Sequence, residues 1–136
     1  MTDATKLIAG ILLITVPTIE YGGTFLLGLL SRGHADFTDF QRSMFRAGHA
    51  HAGVLVVLAL VALLFADHAG FSAPIGWAVR IGFAAAPVLI AAGFFAAAMG
   101  EGRTRPGGLI VLLWIGVFVL ASSLLTLGIG LIRSRG

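Results

Sequence analysis

Cysteine is absent from the chain, which excludes a disulfide, a thiolate metal site and a cysteine nucleophile, although the absence fixes no compartment. Charge is scarce too: 11% of the 136 residues are charged against 58% hydrophobic, and the mean hydropathy is +1.02, far from the balance of a soluble domain. An HExxH zinc motif, a phosphate-binding glycine loop and a Ser–His–acid set are also missing, so no hydrolase or kinase chemistry of the soluble type is supported and no reaction is assigned. With no internal repeat, no long linker and no low-complexity tail, residues 1–136 read as one transmembrane domain. The net charge of +3 belongs to arginines that meet lipid headgroups, and no nucleic-acid partner is expected.

What the chain does have is apolar runs long enough, at 1.5 Å per residue, to cross a hydrocarbon layer of about 30 Å. Four helices are predicted, at about 6–30, 38–67, 75–99 and 109–132. Their short links predict an all-α, integral membrane four-helix up-down bundle, multi-pass in the plasma (inner) membrane, with the lipid bilayer as its first partner. The first segment keeps its apolar period past Glu20 into FLLGLL, so it reads as a mature transmembrane helix rather than a signal peptide. Orientation stays open: Lys6, Arg80, Arg133 and Arg135 fall on one side, and Arg32, Arg42, Arg46, Arg103 and Arg105 on the other.

Local signals refine this picture. Pro17 cannot donate to the carbonyl of Leu13, so a bend is allowed there, and Gly22 and Gly23 let another element approach. Thr38 or Asp36 can cap the second helix, whose first turns read as amphipathic, with Phe37, Phe40, Met44 and Phe45 on the apolar side and Asp39, Gln41 and Arg42 facing water. Gly82, Ala86, Gly93 and Ala97 give the third helix a small-residue face that invites another helix, so a homo-oligomer, most simply a dimer, or membership of a larger membrane complex is expected. Asp67 and Arg80 can pair at one interface as solvated ends, and His34 and His68 read as loop residues.

Few groups can carry chemistry. Glu20, near the middle of the first helix, should cost a few kcal/mol in lipid unless it is neutral, paired or beside a wet cavity. It is a candidate proton, substrate or metal group, with Tyr21 beside it on a substrate or proton path; a plainer reading hydrogen-bonds Glu20 to Ser122, Ser123 or Thr126. His49 and His51, two apart on a helix, point about 200° away from each other, so one ion cannot be chelated by both. Both are candidate ligands for haem or a transition-metal ion, and the plainer reading satisfies them with headgroups, water or backbone. Residue counting also puts Glu20 about 5 to 9 Å deeper than His51.

The stretch RAGHAHAGVL, through Arg46, His49, Ala50, His51 and Val54, resembles the start of the haem-ligating second helix in heme-copper oxidase subunits of the cbb3 and nitric oxide reductase type. The resemblance implies His49 as an axial haem ligand and Arg46 as a propionate partner. No later helix carries a histidine, so a haem would need His51, His34, Met44 or a second protomer to complete its ligation. In architecture, with its length, four helices and lone membrane glutamate in the first helix, the chain is also similar to the small multidrug resistance transporters, and Glu20 alone carries over as the group that alternates between proton and cationic drug.

Three functions follow as expectations: a redox-associated protein that binds haem or a metal through its Glu/His site, a proton-coupled small-molecule exporter using Glu20, and a non-catalytic accessory subunit.

Overall fold

The computed structural model describes residues 1–31 and 37–135. Its order is α1 (Asp3–Ser31), α2 (Asp39–Ala66), α3 (Ala73–Ala98), a single 3₁₀ turn (Gly108–Ile110) and α4 (Val111–Arg133), all within a residue or a few of the predicted bounds. Each of the four long helices is apolar and long enough to cross a membrane, so the protein is a multi-pass membrane protein built as a four-helix bundle. His34 and Asp36 lie outside the described residues.

Local chemistry explains where the helices begin. The Thr2 hydroxyl accepts from the amide of Thr5 at 3.3 Å and starts α1, with Asp3 at its positive end. A full capping box starts α2: Thr38 Oγ1 accepts from Gln41 N at 3.2 Å, and Gln41 Oε1 accepts from Thr38 N at 3.1 Å. Pro74 occupies the first turn of α3, where its missing N–H costs nothing. The helix of α1 runs unbroken through Pro17.

α3 is the centre, packed against α2 on one side and α4 on the other, while α1 lies on α2 with a smaller contact to α3. Among the described residues α1 and α4 make no close backbone approach, so the bundle is open on that side. The small-residue face of α3 is occupied within the chain: a Cβ on Gly93 would stand 2.3 Å from the Leu113 backbone nitrogen, and one on Gly82 2.1 Å from the Ser123 hydroxyl. Small residues here bring two helices close, as they do between helices in lipid, but the partner is α4 and not another chain.

Apolar packing gathers at two levels. One cluster joins Leu12, Leu63, Val79, Phe83 and Leu127 near the termini, and the other joins Leu26, Leu29, Phe45 and Ala98 at the opposite end. Between them a cleft runs along the seam of α1 and α2, and Glu20 and His49 line it.

Candidate functional site

The antiparallel register of α1 and α2 is fixed at two points. Near the termini the Thr5 hydroxyl donates to Asp67 at 2.5 Å, and toward the other end Gly22 and Gly23 lie against the His49 ring. A Cβ on Gly23 would stand 3.2 Å from His49 Cε1 and 3.3 Å from Nε2, and one on Gly22 3.6 Å from Nδ1. The two glycines therefore form the seat of an imidazole. Counted from these two contacts, the register puts Glu20 level with the turn from His51 to Ala52, not 5 to 9 Å deeper than His51.

His49 forms a wall shared by two clefts. One, of about 370 Å³, opens between α1, α2 and α3 and is lined by Thr15, Thr18, Gly22, Ala52, Pro87 and Phe95 among others. The second, of about 320 Å³, lies along the α1–α2 groove and brings Glu20 together with His49, Gly23 and Gly53. Both clefts are otherwise mostly apolar. Glu20 is exposed on the chain's outer surface and His49 half-buried, and among the described residues neither makes a hydrogen bond. The proposed bond from Glu20 to the α4 hydroxyls does not form, because α1 does not reach α4. Instead Ser122 donates to Phe118 O and Thr126 to Ser122 O at 2.7 Å, both within their own helix.

The other candidates fall elsewhere. His51 is exposed on the side of α3, with its ring 4.9 Å from that of Phe94 and Nδ1 2.7 Å from the carbonyl of Ala47. A carbonyl only accepts, so the proton sits on Nδ1 and the Nε2 lone pair points outward. The two histidines diverge as their spacing requires, His49 to α1 and His51 to α3. Tyr21 is 76% exposed, and Arg46 is exposed without a hydrogen bond among the described residues. No group of three or more His, Asp or Glu able to hold a metal occurs among the described residues.

Two polar clusters at the helix ends differ from expectation. Asp67 and Arg80 do pair, at 2.7 Å, but as a buried pair with side chains 8% and 9% exposed. Asp67 also accepts from Thr2 N and Thr2 Oγ1, both at 2.8 Å, and Arg80 Nε donates to the fully buried Thr5 hydroxyl at 2.8 Å. Burial pushes the Asp67 carboxyl up, yet the hydrogen bonds from Thr5, Arg80 and Thr2 outweigh it and hold the group well below the usual carboxylate range. Gln41, expected to face water, is 1% exposed, and its amide donates to Ala98 O at 2.9 Å and Gly100 O at 2.7 Å, closing the carboxyl end of α3. The T-x-x-Q spacing of a capping box was the available signal for this, since the box turns Gln41 inward over the first turn. His68 is exposed and bonds its own helix at Leu64 O, 3.1 Å away.

No protein family, curated protein or solved structure matches this chain.

Proposed function

We propose that the protein binds a divalent transition-metal cation within the membrane, with Glu20 and His49 as its ligands and protons as competitors for the same lone pairs. The observation that supports this is the shared cleft: a carboxylate and an imidazole line it, neither with a hydrogen-bond partner among the described residues, at mid-span of apolar helices. An ionised carboxylate there would cost on the order of 3 kcal/mol without a counter-charge. A bound cation supplies that charge, and an imidazole beside the carboxylate is a usual co-ligand for zinc, copper, iron or nickel.

Size favours a single ion over a haem at His49. An ion about 2.0 to 2.1 Å from a ring nitrogen needs far less room beside α1 than a macrocycle does. A macrocycle would need the space held by the backbone at Gly22 and Gly23, which borders the nitrogen-bearing edge of the ring. His51, with Nε2 facing outward and Nδ1 held by Ala47, remains open to a larger ligand.

A second reading is proton-coupled export. It is favoured by the clefts, which offer about 370 and 320 Å³ of mostly apolar space beside His49, the smaller of them also lined by Glu20, a scale suited to a small amphipathic molecule. The experiment that separates the two is binding of zinc, copper, iron or nickel to detergent-purified protein, alongside Glu20→Gln and His49→Ala. Metal retention lost in both variants supports the cation site; proton-linked efflux lost in Glu20→Gln, with no metal bound by wild type, supports the exporter.

A further inference from the structure

A groove of about 420 Å³ runs between α3 and α4, walled by Ile75, Val79 and Gly82 on one side and by Val119, Ser122 and Thr126 on the other, and it shares no residue with the clefts at His49. Its outer end meets a hollow of about 310 Å³ lined by Phe71, Ser72, Ile129 and Arg133 among others; Ile75 and Thr126 line both, so groove and hollow adjoin. The register that sets Gly82 against Ser123 and Gly93 against Leu113 puts the exposed Trp77 level with Gly128. A tryptophan on a lipid-facing surface marks the headgroup boundary. From that level, at 1.5 Å per residue, Arg133 stands about 7 Å outward, in the headgroup layer, and Val119 about 14 Å inward, among acyl chains. Of the cations at this end, the amino group of Met1 and Arg80 pair with Asp67, and Lys6 pairs with Asp3. Arg133 and Arg135 are exposed, with no such partner among the described residues.

We propose that this groove holds an anionic phospholipid, its phosphate on Arg133 and the first part of one acyl chain along Val79, Gly82 and Val119. A guanidinium without a counter-ion in the headgroup layer opens onto a mostly apolar strip that runs inward, and the ligand that matches has a negative head joined to a hydrocarbon tail. The hydroxyls on the strip do not alter this, because Ser122 and Thr126 spend their protons on carbonyls of their own helix. A second copy seated here by a two-fold axis along the membrane normal would bring its own Arg133 to the same depth, like charge against like, whereas an anionic headgroup brings the opposite charge.

Native mass spectrometry of the protein in detergent with equal amounts of dioleoyl phosphatidylglycerol and dioleoyl phosphatidylcholine tests the site. Wild type should retain the anionic lipid over the zwitterionic one about fivefold, the effect of one arginine near an anionic membrane surface. Arg133→Gln should lose that preference, while Arg133→Lys, which keeps the charge, and Arg135→Gln, which lines neither recess, should retain it. Ala78, exposed on the groove wall, offers a steric control: Ala78→Trp should lower retention of both lipids. Equal retention of the two lipids by wild type, or an undiminished preference in Arg133→Gln, would overturn the proposal. So would displacement of the lipid by inorganic phosphate alone, which marks an anion site with no use for an acyl chain, or a lipid-free dimer that Ala78→Trp abolishes, which marks a second copy as the occupant.

Discussion

His49 seats the nitrogen-bearing edge of its ring on the backbone of Gly23, with Cε1 and Nε2 3.2 and 3.3 Å from where a Cβ would stand, while the neighbouring Gly22 leaves 3.6 Å. That difference of a few tenths of an ångström separates ordinary contact from a contact that must give. Gly23→Ala should push the imidazole off its rotamer, at a cost of about 0.5 to 1.5 kcal/mol, and weaken cation binding up to about tenfold. Gly22→Ala should bind as wild type. Both should retain or raise the melting temperature, because alanine favours a helix over glycine. Metal titration of the two variants checks the pair, and equal affinities would detach His49 from the site.

The Asp67–Arg80 pair carries a stability prediction. Asp67→Asn removes the charge partner of a buried guanidinium and should cost about 3 to 5 kcal/mol, whereas Asp67→Asn combined with Arg80→Met should recover much of the loss. The carboxyl of the folded protein titrates below the usual aspartate value of 3.8, so its contribution is complete above that pH and is lost as pH falls further, through the lowered folded value. Thermal unfolding in mild detergent should therefore show no loss from this pair between neutrality and about pH 5, and a steep loss in stronger acid that the double variant lacks.

The close approach of α3 and α4 predicts a steric effect. A side chain at Gly93 meets the Leu113 backbone at 2.3 to 2.7 Å, and backbone cannot step aside as a flexible side chain can. Gly93→Leu should separate the helices and cost roughly 3 kcal/mol or more, while Leu at Gly28, where nothing lies within 4 Å, should cost little. Comparative melting of the two variants decides it.

Haem gives a fourth test. In protein made with ample haem, any Soret band should survive His49→Ala and be lost in His51→Ala, because α1 covers the ring edge of His49 while His51 presents Nε2 outward. The reverse pattern would restore His49 as the axial ligand that the resemblance of RAGHAHAGVL implies.

The helices were legible in the sequence because hydropathy alone determines where a chain can cross a bilayer, and Thr38 marked the start of α2. The divergence of His49 and His51 was legible from helical geometry. The seat of His49 was not, because Gly22 and Gly23 advertise close approach without saying what approaches. Nor was the register that brings Glu20 level with His51, which depends on Thr5 meeting Asp67 across 62 residues. The small-residue face of α3 read as an invitation to another chain, and only tertiary packing reveals that α4 accepts it. Asp67 and Arg80 paired as their positions allowed, but burial came from Thr2 and Thr5 folding over them, a long-range effect that no local pattern carries.

The measurement that bears most directly on the Glu20–His49 site is a metal titration of detergent-purified protein as a function of pH, run in parallel on wild type, Glu20→Gln and His49→Ala. Loss of one of two protein ligands should lower affinity tenfold or more in each variant, and wild-type binding should weaken as pH falls and protons take the imidazole and carboxylate lone pairs. Wild type that binds no transition metal at any pH, or both variants binding as wild type does, would contradict the assignment.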